Sequence, residues 1–131
     1  MMVTLAHAAC GAAIGHRVRS PLAAVAACVG AHGLLDLPRH QDLDERREGV
    51  LTVATVGLMA ALFGVRSREA WCGFACSAPD LEHVLRRGRR GLYPSHRFRS
   101  LHGTIPTPSA SARAQVAASL IALVLTARTR A

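Results

Sequence analysis

A chain of 131 residues has room for one small domain and too little for two. Half of its residues are apolar but only 4% are aromatic, which argues against an all-β fold, since strands draw on aromatic and β-branched side chains. It favours helices built from Ala, Leu and Val. The net charge of +8 is carried by sixteen Arg with no Lys, and such an excess implies an anionic partner: phospholipid head groups, nucleic acid or a phosphorylated substrate.

The first apolar stretch, Val3 to Gly15, has no basic region before it, so it reads as a retained helix rather than a cleaved signal. Gly11-Ala12-Ala13-Ile14-Gly15 gives it a small-residue face that lets a second helix approach closely in a bilayer. Pro21 suits the first position of the next helix, which runs from Leu22 to Leu37 and is apolar except for His32 and Asp36. Pro38 stops it. The acidic stretch that follows, with Asp42, Asp44, Glu45 and Glu48, can start a third helix, because carboxylates favour the first turn.

Seventeen residues from Gly49 to Val65 carry no charge and make the clearest candidate for a membrane span, at the short end of what crosses about 30 Å of hydrocarbon. A fourth segment, Ala70 to Ala78, leads into Pro79-Asp80-Leu81-Glu82-His83. The stretch from Arg86 to Ala110 is broken by Gly88, Gly91, Pro94, Gly103, Pro106 and Pro108 and reads as a basic loop at about 88–110. A fifth segment runs from Ala114 to Ala127. The third and fifth lack the polar face of a water-exposed helix. The fold expected is therefore all-α: a single domain over residues 1–131, a small bundle of about five short apolar helices, integral to a membrane. Cys10, Cys28, Cys72 and Cys76 follow no zinc-ribbon spacing and read as small core residues, with metal binding or oxidation open to the Cys72/Cys76 pair, one helical turn apart.

In an up-down arrangement six of the seven histidines fall at one end of such a bundle, with His16 opposite. His32 and Asp36 are four apart and Asp80 and His83 three apart, so each pair shares a helix face. Facing pairs of this kind, with histidines added from a loop, resemble the way helical bundles build metal sites. Imidazole nitrogen with carboxylate oxygen suits a divalent transition metal, zinc first, with Mn, Fe or Ni as alternatives. The candidate ligands are His7, His32, Asp36, Asp80, His83, His96 and His102. Plain alternatives stand beside them: Ser77-Ala78-Pro79-Asp80 also fits a capping box, and His7 also fits a solvated residue near a terminus. His32 and Asp36 are harder to explain away, because ionisable groups in an apolar helix are costly unless paired or functional.

The arginine-rich loop also has two readings. It is a basic flank to a membrane helix, or a phosphate-recognising lid in which Arg97 and Arg99 hold phosphate, since the arginine fork matches phosphate geometry. Nucleic-acid binding with Tyr93 and Phe98 as stacking groups is a third and thinner one.

The segments His32-Gly33-Leu34-Leu35-Asp36-Leu37-Pro38, Ala78-Pro79-Asp80-Leu81-Glu82-His83 and Tyr93-Pro94-Ser95-His96 with His102 resemble bacterial inner-membrane proteins described as membrane-bound metal-dependent hydrolases, whose histidine/aspartate pattern is similar to that of zinc-dependent phospholipase C. The resemblance covers roughly residues 7 to 102, with the order of two elements reversed, since here His32 to Asp36 precedes Asp80. It implies a multi-pass protein of the bacterial inner membrane in contact with lipid, hydrolysing a phosphoester or a lipid-associated ester. A bound metal would activate water, with Asp80 and His96 in catalytic roles. The alternative is a small non-enzymatic membrane protein whose His/Asp cluster is structural or binds metal without turnover.

Overall fold

The computed structural model describes residues 3–41, 43–81, 92–98 and 103–129. Helix α1 (Thr4–Arg17) has no capping side chain of its own. Its first backbone donors are met from elsewhere in the fold: Thr4 N–H donates to Glu48 Oε1 at 2.7 Å and Val3 N–H to Gln115 Oε1 at 3.1 Å. Helix α2 (Pro21–Asp36) begins on Ser20, with proline at its first position. After it comes a three-residue strand, β1 (Pro38–His40). Helix α3 (Glu45–Phe63) is capped by Asp44 and ends at Gly64, whose φ of 81° is left-handed and suits glycine. Helix α4 (Arg68–Ser77) starts on Ser67 and tightens into a 3-10 turn, Ala78–Asp80. A single-turn helix α5 (Pro94–Arg97), strand β2 (Ile105–Ala110) and helix α6 (Ala112–Arg128), capped by Ser111, complete the described chain.

Helix α1 is the centre of the bundle. It packs along α4 and also touches α2, α3 and α6. Leu5, Ala8, Ala9 and Ala12 on α1 meet Met59 and Phe63 of α3, Ala70 of α4 and Leu123 of α6 in one buried cluster. The glycines of α1 let α4 come close: a methyl group on Gly11 would lie 2.2 Å from the Cys72 carbonyl oxygen, and one on Gly15 2.7 Å from that of Arg68. The small-residue face thus serves an approach inside the bundle.

Strands β1 and β2 pair in parallel, Pro38 opposite Ile105 and His40 opposite Ala110, with a bulge between. Gly103 N–H donates to the Asp36 carbonyl at 2.8 Å and Ile105 N–H to that of Leu37 at 3.0 Å. These bonds fasten the C-terminal end of α2, where Asp36 sits, to the segment that precedes α6.

Two expectations are corrected here. No helix among the described residues is long and apolar enough to cross a membrane, which removes the basis for an integral membrane bundle, for transmembrane helices and for a multi-pass location in the bacterial inner membrane. The physical reason is clearest in α3, whose first turn is the charged Glu45-Arg46-Arg47-Glu48. Its uncharged remainder, Gly49 to Phe63, rises about 22 Å at 1.5 Å per residue, against about 30 Å of hydrocarbon. The fold is also not purely helical, because the segment read as a loop contains β2. Its prolines, Pro106 and Pro108, are tolerable in a short bulged pair at the edge.

Candidate metal centre

Three helices bring four ionisable side chains to one buried point. His7 lies in the second turn of α1; His32 and Asp36 occupy one face of the last turns of α2; Asp80 ends the 3-10 turn after α4. Exposure is 0% for His7, His32 and Asp36 and 2% for Asp80. The turn that carries Asp80 arises because Pro79 has no N–H to continue α4. Ser77 does not cap it; its hydroxyl donates to the Gly73 carbonyl at 2.8 Å. The capping-box alternative for Asp80 is thereby corrected.

The orientation of His32 follows from the end of α4, where the last carbonyls have lost their intrahelical partners. His32 Nδ1 lies 2.7 Å from the Cys76 carbonyl oxygen. A carbonyl only accepts, so Nδ1 carries a proton and donates to it, and Nε2 faces the cluster. Around that nitrogen stand Asp36 Oδ2 at 3.4 Å and Asp80 Oδ1 at 3.7 Å, while His7 Nε2 lies 3.5 Å from Asp36 Oδ1. The two imidazole rings are 4.0 Å apart at 36°.

These separations exceed the roughly 2.7–2.9 Å of a charge-assisted hydrogen bond. They are close to the distance between neighbouring ligands of a tetrahedral ion, about 3.4 Å for metal–donor bonds near 2.1 Å. His7, His32 and Asp80 offer donor atoms all within 4.8 Å of one another and could hold a metal ion. Asp36 faces the nitrogens of both histidines and is the adjacent carboxylate.

Charge gives a second indication. Asp36, Asp80 and Glu48 are all buried carboxylates, and burial, then the charges of Asp36 and Glu48, push the Asp80 pKa well above its ordinary range. Glu48 accepts from the backbone and the hydroxyl of Thr4 through Oε1, while its Oε2 is buried with no hydrogen-bond partner among the described residues. A cation within the cluster would offset this crowding of negative charge. Tyr93 closes one side, its ring edge-on to His32 at 4.8 Å and its hydroxyl donating to the Val29 carbonyl. Burial raises the phenol's pKa.

No family model, curated protein or solved structure matches the chain. The site therefore rests on its own residues.

Of the residues singled out in the sequence, His7, His32, Asp36 and Asp80 converge. The plain alternative for His7, a solvated terminal residue, is corrected by its complete burial. His83, His102 and Arg99 lie outside the described residues, as does the side chain of His96, whose backbone belongs to α5. Arg97 is exposed, its guanidinium 5.7 Å from the Phe98 ring centre. His16 is at the other end of α1, 3.5 Å from Glu69, and His40 Nδ1 lies 2.7 Å from the Pro38 carbonyl oxygen. Sequence reasoning missed Glu48, taken only as a helix-starting acid, and Tyr93, taken as a stacking group. A signal for Glu48 was present: it lies one turn into α3, where the charged start meets the apolar run.

Proposed function

We propose that the chain binds a divalent transition metal, zinc foremost, through His7, His32 and Asp80 with Asp36 beside them, and acts as a metal-dependent hydrolase on a phosphoester. The observation that carries this reading is the fixed orientation of the His32 ring. Its Nδ1–H is committed to the Cys76 carbonyl, the outer contact by which metal-binding histidines are oriented, and its Nε2 faces the carboxylates at ligand-to-ligand spacing. Three mutually close protein donors leave a fourth position of a tetrahedral ion for water or substrate, the pattern of catalytic zinc sites. Such an ion, when bound, supplies Lewis acidity and activates water near neutral pH.

The chain's own residues supply the rest. Asp36, against both imidazoles, holds the ring of His7 toward the centre and offers a base beside it. Tyr93 excludes water from the His32 side and ties the start of the basic segment to α2. Arg97, four residues on, is exposed and offers its guanidinium to an anionic substrate. The resemblance to metal-dependent hydrolases drawn from the sequence rests partly on these same ligands.

A second reading has its own observation: the complete burial of His7, His32 and Asp36 is the mark of a closed, structural site. The two are separated by loading the metal-stripped chain with zinc and following both thermal unfolding and hydrolysis of nitrophenyl mono- and diesters of phosphate. Hydrolysis that needs zinc and is lost in Asp36→Asn with zinc still bound supports the enzyme. A raised Tm with no turnover of either ester supports the structural ion and overturns the hydrolase.

A further inference from the structure

A cavity of about 220 Å³ sits between the start of α1, the middle of α3 and the end of α4. It adjoins the candidate centre along the chain: Thr4 in its wall is one turn before His7, and Ser77 and Leu81, also in its wall, bracket Asp80. Val56, Phe74 and Leu81 give it apolar sides, and because Val56 and Leu81 are each nearly half exposed it can be entered from solvent.

Four hydroxyl side chains line this cavity, and one of them is out of pattern. Thr4 donates to Glu48 Oε1, Thr52 to the Glu48 carbonyl at 2.8 Å and Ser77 to the Gly73 carbonyl at 2.8 Å. A helical serine or threonine ordinarily returns its hydroxyl to the carbonyl four residues back, as Thr52 and Ser77 do here and as Ser119 and Thr126 do on α6. Thr55, only 2% exposed, does not: its Oγ1 is buried with no hydrogen-bond partner among the described residues. A buried hydroxyl left unmade carries its full desolvation cost. Water is a poor remedy, because an ordered water needs roughly two to four polar partners and the neighbouring hydroxyls are already engaged.

We propose that this cavity binds a small apolar alcohol whose oxygen hydrogen-bonds the Thr55 hydroxyl. A hydrocarbon would fit the walls and leave Thr55 unsatisfied, whereas an alcohol oxygen both donates and accepts. A carboxylate is disfavoured by Glu48, which is bonded to Thr4 in the wall. A dry cavity of about 150 Å³ admits benzene, so this one takes a single ring with a short arm. Resting on the phosphoester reading above, the alcohol is the half of the ester that is released: one water is consumed, the alcohol departs with the bridging oxygen and gains a proton, and phosphate remains.

The test titrates the metal-free full chain with benzyl alcohol, toluene and benzoate and follows methyl signals by NMR. Benzyl alcohol should shift Thr55, Val56 and Leu81 saturably and bind about 3–10-fold more tightly than toluene, the worth of one hydrogen bond, with benzoate weakest. Thr55→Val keeps the shape and removes the unused hydroxyl; it should melt no lower than the wild type, still bind toluene and lose the preference for the alcohol. His32→Ala should bind benzyl alcohol undiminished, so the cavity is read independently of the metal. With zinc present, benzyl phosphate should be hydrolysed faster than methyl phosphate; alcohol binding without turnover of either supports the cavity and overturns the hydrolase. Shifts confined to other residues, equal affinity of the wild type for benzyl alcohol and toluene, or an alcohol preference that survives in Thr55→Val would overturn the proposal.

Discussion

Gly11→Ala tests whether the approach of α1 to α4 builds the site. The added methyl would lie 2.2 Å from the Cys72 carbonyl oxygen, 2.7 Å from its carbon and 2.8 Å from Cys76 Cβ. Two of these atoms are backbone, so no side chain can rotate away, and ordinary contact begins at about 3.4 Å. The helices must then part by about 1.2 Å, more than twice the roughly 0.5 Å within which a binding constellation has to be held. His7 rides on α1, while His32 is oriented by α4 and Asp80 follows it, so the displacement enters the ligand set directly. We expect a stability loss of about 1–3 kcal/mol, typical of overpacking, and a zinc affinity at least about tenfold weaker, or 1.4 kcal/mol. Thermal unfolding and competition against a zinc chelator measure the two effects. Gly30→Ala on α2 is the control: nothing lies within 4 Å of the added methyl, and an exposed helical position should gain up to about 1 kcal/mol. Should Gly11→Ala melt and bind zinc like the wild type, the close approach of α1 and α4 is refuted.

Asp80→Asn separates the folding role of this carboxyl from its metal role. In the metal-free chain its folded pKa lies above its ordinary 3.8, so its contribution is fully present in acid and is lost as pH rises through the raised value. The slope is at most about 1.4 kcal/mol per pH unit. Denaturant unfolding without metal should show that decline in the wild type and its absence in Asp80→Asn, which is the more stable protein at neutral pH; equal pH slopes would contradict the assignment. With zinc present the order should reverse, since the wild type alone gains binding energy, and its zinc affinity should rise with pH because the ligand must lose its proton. In the core, Met59 is fully buried between α1, α3 and α4, and Met59→Ala should cost about 2–5 kcal/mol in chemical unfolding; a loss below 1 kcal/mol would show that the cluster of α1, α3 and α6 is not packed as described.

The helices were legible where punctuation was explicit. Ser20-Pro21, Asp44, Ser67 and Ser111 each cap a helix whose apolar run announces it, and Pro38 marks the end of α2. His32 and Asp36 were legible as a pair because, four apart, they share a helix face, and His7 and Asp80 were set beside them only by the up-down order of the helices. The membrane reading arose from composition without geometry. Seventeen uncharged residues from Gly49 to Val65 include Gly64, which ends α3, and α3 spends its first turn on charged residues. Strand β2 was hidden by Pro106 and Pro108, which mark turns when no partner strand is in view. The partner that buries Glu48 was not legible, because it is Thr4, forty-four residues earlier, offering N–H and hydroxyl donors at the start of α1. The cysteines carried only the one-turn spacing of Cys72 and Cys76, since three helices and not one motif bring all four together.

The most direct measurement is the zinc content and binding isotherm of the full chain after it has been stripped with chelator and reconstituted. The account predicts one zinc ion per chain at the histidine/aspartate centre, bound with release of protons, and its loss in both His32→Ala and Asp80→Asn with helix content unchanged. Failure of the refolded wild type to retain zinc, or equal retention in the two variants, would contradict it.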